Sequence, residues 1–86
     1  MKHAGPATLQ ALEPLLARVR ALPGLVERTP GCFYQGAKAF LHFHEDPKGL
    51  FADIRCGDSP DFDRIDVTTP AGADALIATA EAGLKA

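Results

Sequence analysis

The chain contains no Asn and no Trp, one Ser (Ser59) and two Gln (Gln10 and Gln35). Scarce amides are a habit of heat-adapted proteins, and a GC-rich genome produces the same bias. With one serine, set in a Ser59-Pro60 loop, no serine nucleophile stands beside a base. Two cysteines, Cys32 and Cys56, are too few for a disulfide scaffold. The expectation is a pair of buried free thiols, with a disulfide as the alternative in a hyperthermophile's cytosol. No apolar run reaches the ~18 residues of a helical membrane span. The start, Met1-Lys2-His3-Ala4-Gly5-Pro6, lacks the apolar core of a signal peptide, so a cytoplasmic protein is expected. An excess of basic residues is also missing. The net charge of −2 argues against a nucleic-acid partner, which selects for a basic surface. No glycine cluster forms a phosphate-cradling loop between a strand and a helix.

What remains is a short globular chain. Its 86 residues, 47% of them hydrophobic, make a single domain spanning 1–86. A chain this size buries about 60–65% of its unfolded surface, so dimerisation or a metal would add useful stability. Leu9, Leu12, Leu15, Leu16, Val19 and Leu22 recur at helical spacing and predict a helix between Ala7 and Leu22. Pro14 interrupts that pattern, so the helix either kinks there or has its main segment begin there. Pro23-Gly24 ends it. Leu25 to Arg28 is a short extended or connecting segment, and Thr29-Pro30-Gly31 is a turn.

Strands are expected at Cys32–Tyr34, at Lys38–His44, at Leu50–Cys56 and at Phe62–Val67. The turn Glu45-Asp46-Pro47-Lys48-Gly49 joins the middle two, with proline presetting one dihedral and glycine permitting a positive one. Thr69 and Pro70 then start a helix whose apolar stripe is Ala73, Leu76, Ile77, Ala80 and Leu84. Short loops make neighbouring strands antiparallel. The predicted fold class is therefore α+β, a two-layer sandwich with the order helix, about four antiparallel strands, helix.

The stretch from Ala39 to Arg55 carries whatever chemistry the chain has. Side chains alternate along a strand, so one choice of register assigns every residue to a face. Pairing Glu45 with Leu50 sets Phe43 opposite Ala52 and Leu41 opposite Ile54. Ala39, Leu41, Phe43, Leu50, Ala52, Ile54 and Cys56 then share the face that helices cover. Phe40, His42, His44, Phe51, Asp53 and Arg55 share the other. Across the strands, His42 meets Asp53, His44 meets Phe51 and Phe40 meets Arg55. Cross-strand Cβ atoms lie roughly 4.5–5.5 Å apart, within reach of a His–Asp contact. A face mixing aromatic rings with histidines and charges suits a ligand pocket or a subunit interface.

The first reading is a compact non-catalytic binding or interaction domain. In this reading it is a homodimer through the His42/His44 face, with Phe40, Phe51 and Arg55 as interface candidates. The second is a metal or small-molecule ligand site at His42, His44 and Asp53, because a His-x-His step in a strand points two imidazoles to one side. Glu45 is the other candidate third ligand, and the only further histidine, His3, sits in a terminus expected to be loose. The identity of any cofactor or ligand is not legible. The third reading is a small enzyme with His42 as general base, held by Asp53. The bland reading of the same residues is surface histidines paired with Asp53 and their neighbours. Arg55, Arg64 and Asp66 are candidates for cross-strand ion pairs, which contribute about 0–1 kcal/mol when exposed. Asp58, Asp61 and Asp63 resemble a calcium loop only superficially, since the required Gly and terminal Glu are missing.

Several strings resemble a family of small bacterial proteins of unknown function. They are Leu22-Pro23-Gly24, Thr29-Pro30-Gly31-Cys32-Phe33-Tyr34, Ala39-Phe40-Leu41-His42-Phe43-His44-Glu45-Asp46-Pro47 and Gly49-Leu50-Phe51-Ala52-Asp53-Ile54-Arg55. The Phe-Leu-His-Phe-His-Glu-Asp-Pro hairpin is the distinctive part, and the resemblance implies a small α+β domain without assigning an activity. A second, fainter likeness is to the YjbR-like proteins, with their frataxin-like α–sheet–α layout, some of which are labelled DNA-binding. The acidic first helix of frataxin iron binding has no counterpart here, since Glu13 is the only acid between Ala7 and Leu22.

Overall fold

Both N-terminal prolines initiate helices rather than break them. In the computed structural model, which describes residues 2–55 and 59–85, α1 (Pro6–Ala11) and α2 (Glu13–Arg20) are separate helices that meet at Leu12. Proline is tolerated in the first turn because the N–H it lacks has no helical partner there. Of the two outcomes expected at Pro14, the structure takes a new helix, with Pro14 in its first turn. Leu12, Leu15, Leu16 and Val19 stay on one buried stripe across the break.

The strands are β1 (Lys2–His3), β2 (Val26–Thr29), β3 (Cys32–Gln35), β4 (Lys38–Asp46), β5 (Gly49–Ile54) and β6 (Asp63–Asp66), followed by α3 (Pro70–Lys85). Every pairing is antiparallel, in the order β2-β3-β4-β5-β6, with β1 also paired to β4. The fold is thus α+β with an antiparallel sheet, and it holds more elements than the expected helix, about four strands, helix. The segment Leu25–Arg28 contributes β2, and the terminus expected to be loose contributes β1. Thr69 caps α3 as its sequence signals: its hydroxyl accepts from the Gly72 amide at 3.3 Å. Gly31 turns β2 into β3 at φ +78°, and a Cβ there would come within 2.7 Å of Leu9.

The β4–β5 register is the one the apolar pattern predicts: Leu41–Ile54, His42–Asp53, Phe43–Ala52, His44–Phe51 and Glu45–Leu50. The inward members Leu41, Phe43, Ala52 and Ile54 are buried in one core with Leu16, Val19, Leu76 and Ala80 from the helices. Burying a side chain of this size stabilises the fold by roughly 1.5–3 kcal/mol. Arg18 of α2 donates to Asp74 of α3 at 2.8 Å. Glu27 of β2 takes two hydrogen bonds from Arg20 of α2, at 2.8 and 3.2 Å.

Phe40 does not join the histidine face and is no interface residue: it is 2% exposed and belongs to the core. The reason is a β-bulge. Phe33 pairs with Leu41 while Tyr34 pairs with Ala39, so Phe40 is an extra residue on β4. A bulge re-aims the side chains beside it. Ala39, expected in the core, consequently lies opposite Tyr34 and is half-buried. Cys32, expected to be buried, is a half-buried free thiol opposite His42. Cys56, placed in the core by the predicted register, and Asp58 of the acidic cluster lie outside the described residues. Among the described residues, no helix is long and apolar enough to cross a membrane.

Candidate metal centre

The outward positions of β4 carry His42 and His44, and β1 adds His3 beside them. β1 occupies the edge of β4 opposite β5, just past the point where β3 ends at Cys32. It pairs Lys2 with Glu45 and His3 with His44, and the Ala4 amide donates to the Phe43 carbonyl at 3.2 Å. Glu45 anchors this corner. It accepts from the Gly5 amide at 3.3 Å and from the Thr8 hydroxyl, and Lys2 lies 3.6 Å away. Those donors hold its carboxyl below the usual range, the Thr8 bond foremost. Glu45, a candidate third ligand from the sequence, therefore secures the start of α1 instead.

The three imidazoles form a compact triangle. Ring centres are 4.6 Å apart for His42–His44, 4.9 Å for His3–His44 and 5.7 Å for His3–His42. One ligand atom from each lies within 4.8 Å of the others. His42 Nδ1 approaches His44 Nε2 to 2.6 Å, a contact that can share a single proton. Burial first, and the neighbouring imidazole second, push the His42 pKa below its ordinary value. Burial also lowers His44, against the pull of Asp53. Both rings are therefore neutral at pH 7, the form that ligates metals.

Asp53 sits under the pair and is 8% exposed. It accepts from Arg64 at 2.9 and 3.1 Å, and Arg64 holds its carboxyl below the ordinary range. Its second contact goes to His44 Nε2 at 3.2 Å, and not to His42, its direct cross-strand neighbour. The carboxylate expected as a ligand thus contacts, and so orients, one of the candidate ligands. A carboxylate on one ring nitrogen fixes tautomer and orientation and makes the imidazole a stronger donor. The other nitrogen, His44 Nδ1, is buried without a hydrogen-bond partner.

Of the remaining candidates, Phe51 is half-buried opposite His44. Of the cross-strand ion pairs expected of Arg55, Arg64 and Asp66, Arg64 forms one, with Asp53 on the neighbouring strand, while Arg55 is not paired with Asp66. The Arg55 guanidinium donates to the Ala39 carbonyl at 2.8 and 3.1 Å and lies 4.7 Å from the Phe62 ring centre. Asp66 accepts from the Thr68 amide instead. Phe62 takes the place expected of Phe40, its ring edge-on to His42 at 4.8 Å. Sequence reasoning missed His3 and Phe62. A two-residue strand leaves no periodic signal, and Phe62 precedes the first residue of β6. Comparison of the chain with protein-family models, with curated proteins and with solved structures finds no match.

Proposed function

We propose that the protein binds a divalent transition-metal ion through His3, His42 and His44. The observation that carries this reading is the convergence of three imidazole ligand atoms within 4.8 Å of one another. Neutral imidazoles suit Zn²⁺, Ni²⁺, Co²⁺ or Cu²⁺, whereas Mg²⁺ and Ca²⁺ seek oxygen donors. The lowered proton affinity of His42 and His44 reduces competition from protons, and Asp53 holds the His44 ring in place. The frame we infer is a two-layer sandwich, with the helices on the core face and the histidines on the other. Calorimetric titration of the untagged full chain with ZnCl₂ and NiCl₂ tests the reading. One ion per chain is expected, with uptake lost in His42→Ala/His44→Ala and weakened in His3→Ala. No uptake, or uptake unchanged in these variants, would overturn it.

A homodimer through the His42/His44 face rests on a different observation, the partial exposure of Phe51 and Phe62 beside the histidines. Phe40 contributes nothing to it. Sedimentation equilibrium separates the readings, since a strict monomer at high concentration removes the dimer and leaves metal binding intact. A general-base role for His42 loses its orienting carboxylate, because Asp53 contacts His44.

A further inference from the structure

We infer that a metal held by the three histidines keeps one coordination position open toward the adjoining cavity, and that this position takes a small anion such as a carboxylate. The inference rests on the metal reading above and adds the side from which an exogenous ligand arrives, with its charge and size.

Three protein ligands leave a tetrahedral ion one short, the pattern of sites that bind water or substrate. The open side follows from what surrounds each histidine. The His44 side chain is 13% exposed and is closed in by Asp53 and His42. His3 and His42 instead border a cavity of about 250 Å³ whose walls include Cys32, Tyr34, Ala39 and Phe62. An incoming ligand therefore meets the ion across the His3–His42 edge.

The size and charge of this space select the ligand. Its volume of about 250 Å³ falls below the roughly 300–1,000 Å³ of pockets that hold drug-sized molecules and suits a small ligand. No carboxylate lines it among the described residues. Asp53, the nearby acid, is already matched by Arg64. Arg55 stacks on Phe62, which itself packs against His42, and so sets a fixed cation beside the cavity. Imidazoles coordinated to an ion add no charge of their own, so the charge of the ion and of Arg55 favours an anion. The Phe62 ring and the Ala39 methyl offer an apolar wall to its body.

The group that would close this position is Cys32, which is the cross-strand partner of His42 and lines the same cavity. A cobalt experiment separates the two outcomes. The untagged full chain is loaded with CoCl₂, its absorption spectrum recorded, and sodium azide and sodium acetate are titrated in. Expected are one cobalt per chain, no thiolate-to-cobalt charge-transfer band, and a saturable shift of the visible bands with both anions. Arg55→Gln should weaken anion binding roughly three- to fivefold, the scale of one partly solvated charge contact, without altering cobalt uptake. Arg55→Lys, which keeps the charge, should restore most of it. A charge-transfer band that vanishes in Cys32→Ser would show the fourth position filled by the thiol and overturn the inference, while metal binding stands. Bound cobalt whose spectrum ignores both anions would overturn it in the same way. No cobalt uptake would remove the metal reading itself and this inference with it.

Discussion

The two faces of the β4–β5 hairpin are made by alternate residues of the same strands and obey different rules. The inward face, with Leu41, Phe43, Ala52 and Ile54, is at most 1% exposed and wholly apolar. The outward face, with His42, His44 and Asp53 beside Phe51, is only partly covered and depends on named atoms meeting named atoms. A hydrophobic core is non-directional, so any side chain of similar volume serves. A polar cluster is directional, so removing one partner leaves the other unsatisfied. Stability should therefore reside mainly on one face and pH sensitivity on the other.

The largest effect tests the inward face. Phe43 is among the largest fully buried side chains. Phe43→Ala should destabilise the fold by about 3–5 kcal/mol, since the lost transfer energy adds to the cost of a cavity. Urea denaturation measures this directly. A loss below about 1 kcal/mol would mean the core collapses around the gap and is not the rigid half of the hairpin.

The next effect belongs to the outward face and is read by pH. His42 and His44 have pKa values below the ordinary 6.5 in the folded protein. The unfolded chain takes up those protons first as pH falls, so protonation favours unfolding between the ordinary and the lowered values. Their contribution is complete above about pH 6.5 and is lost as pH falls through that value toward the folded pKa values. Asp53 behaves similarly in a lower window: its contribution is complete above the ordinary carboxylate value of 3.8 and is lost as pH falls further. Chemical denaturation between pH 8 and pH 5 should show a decline that disappears in His42→Gln/His44→Gln and persists in Phe43→Leu. A decline of equal size in the histidine double variant would locate the titrating groups elsewhere.

The hairpin register was legible because four apolar positions on two strands agree with one turn, Pro47 to Gly49, and a slip of one residue would expose them all. The ends of the site were not. Phe40 obeys alternation in the sequence, and the bulge that turns it inward arises from pairing with β3, a tertiary event without a local signature. His3 reaches the site through two ladder pairs with residues far along the chain, and its neighbours Gly5 and Pro6 carry no strand pattern. Even with the right register, the choice of Asp53 between His42 and His44 lies in side-chain torsions that strand spacing does not dictate. Pairing within a hairpin is thus a short-range problem, and the composition of a site built from three strands is not.

The smallest effect asks whether the outward face really ends in water. Val26 is 57% exposed on β2, an outer strand of the sheet, and pairs with Tyr34, which shares a side with Cys32 and lies opposite Ala39. Val26→Thr keeps the β-branched shape that suits a strand and changes one methyl for a hydroxyl. On a solvated surface such a change moves stability by no more than about 0.5 kcal/mol. A loss above roughly 1 kcal/mol would require Val26 to be desolvated in the native state, which its exposure within one chain does not provide. If that loss also grew with protein concentration, the desolvation would come from a second copy seated on this face. The outward face would then be open in the single chain and closed, like the inward one, in the assembled protein.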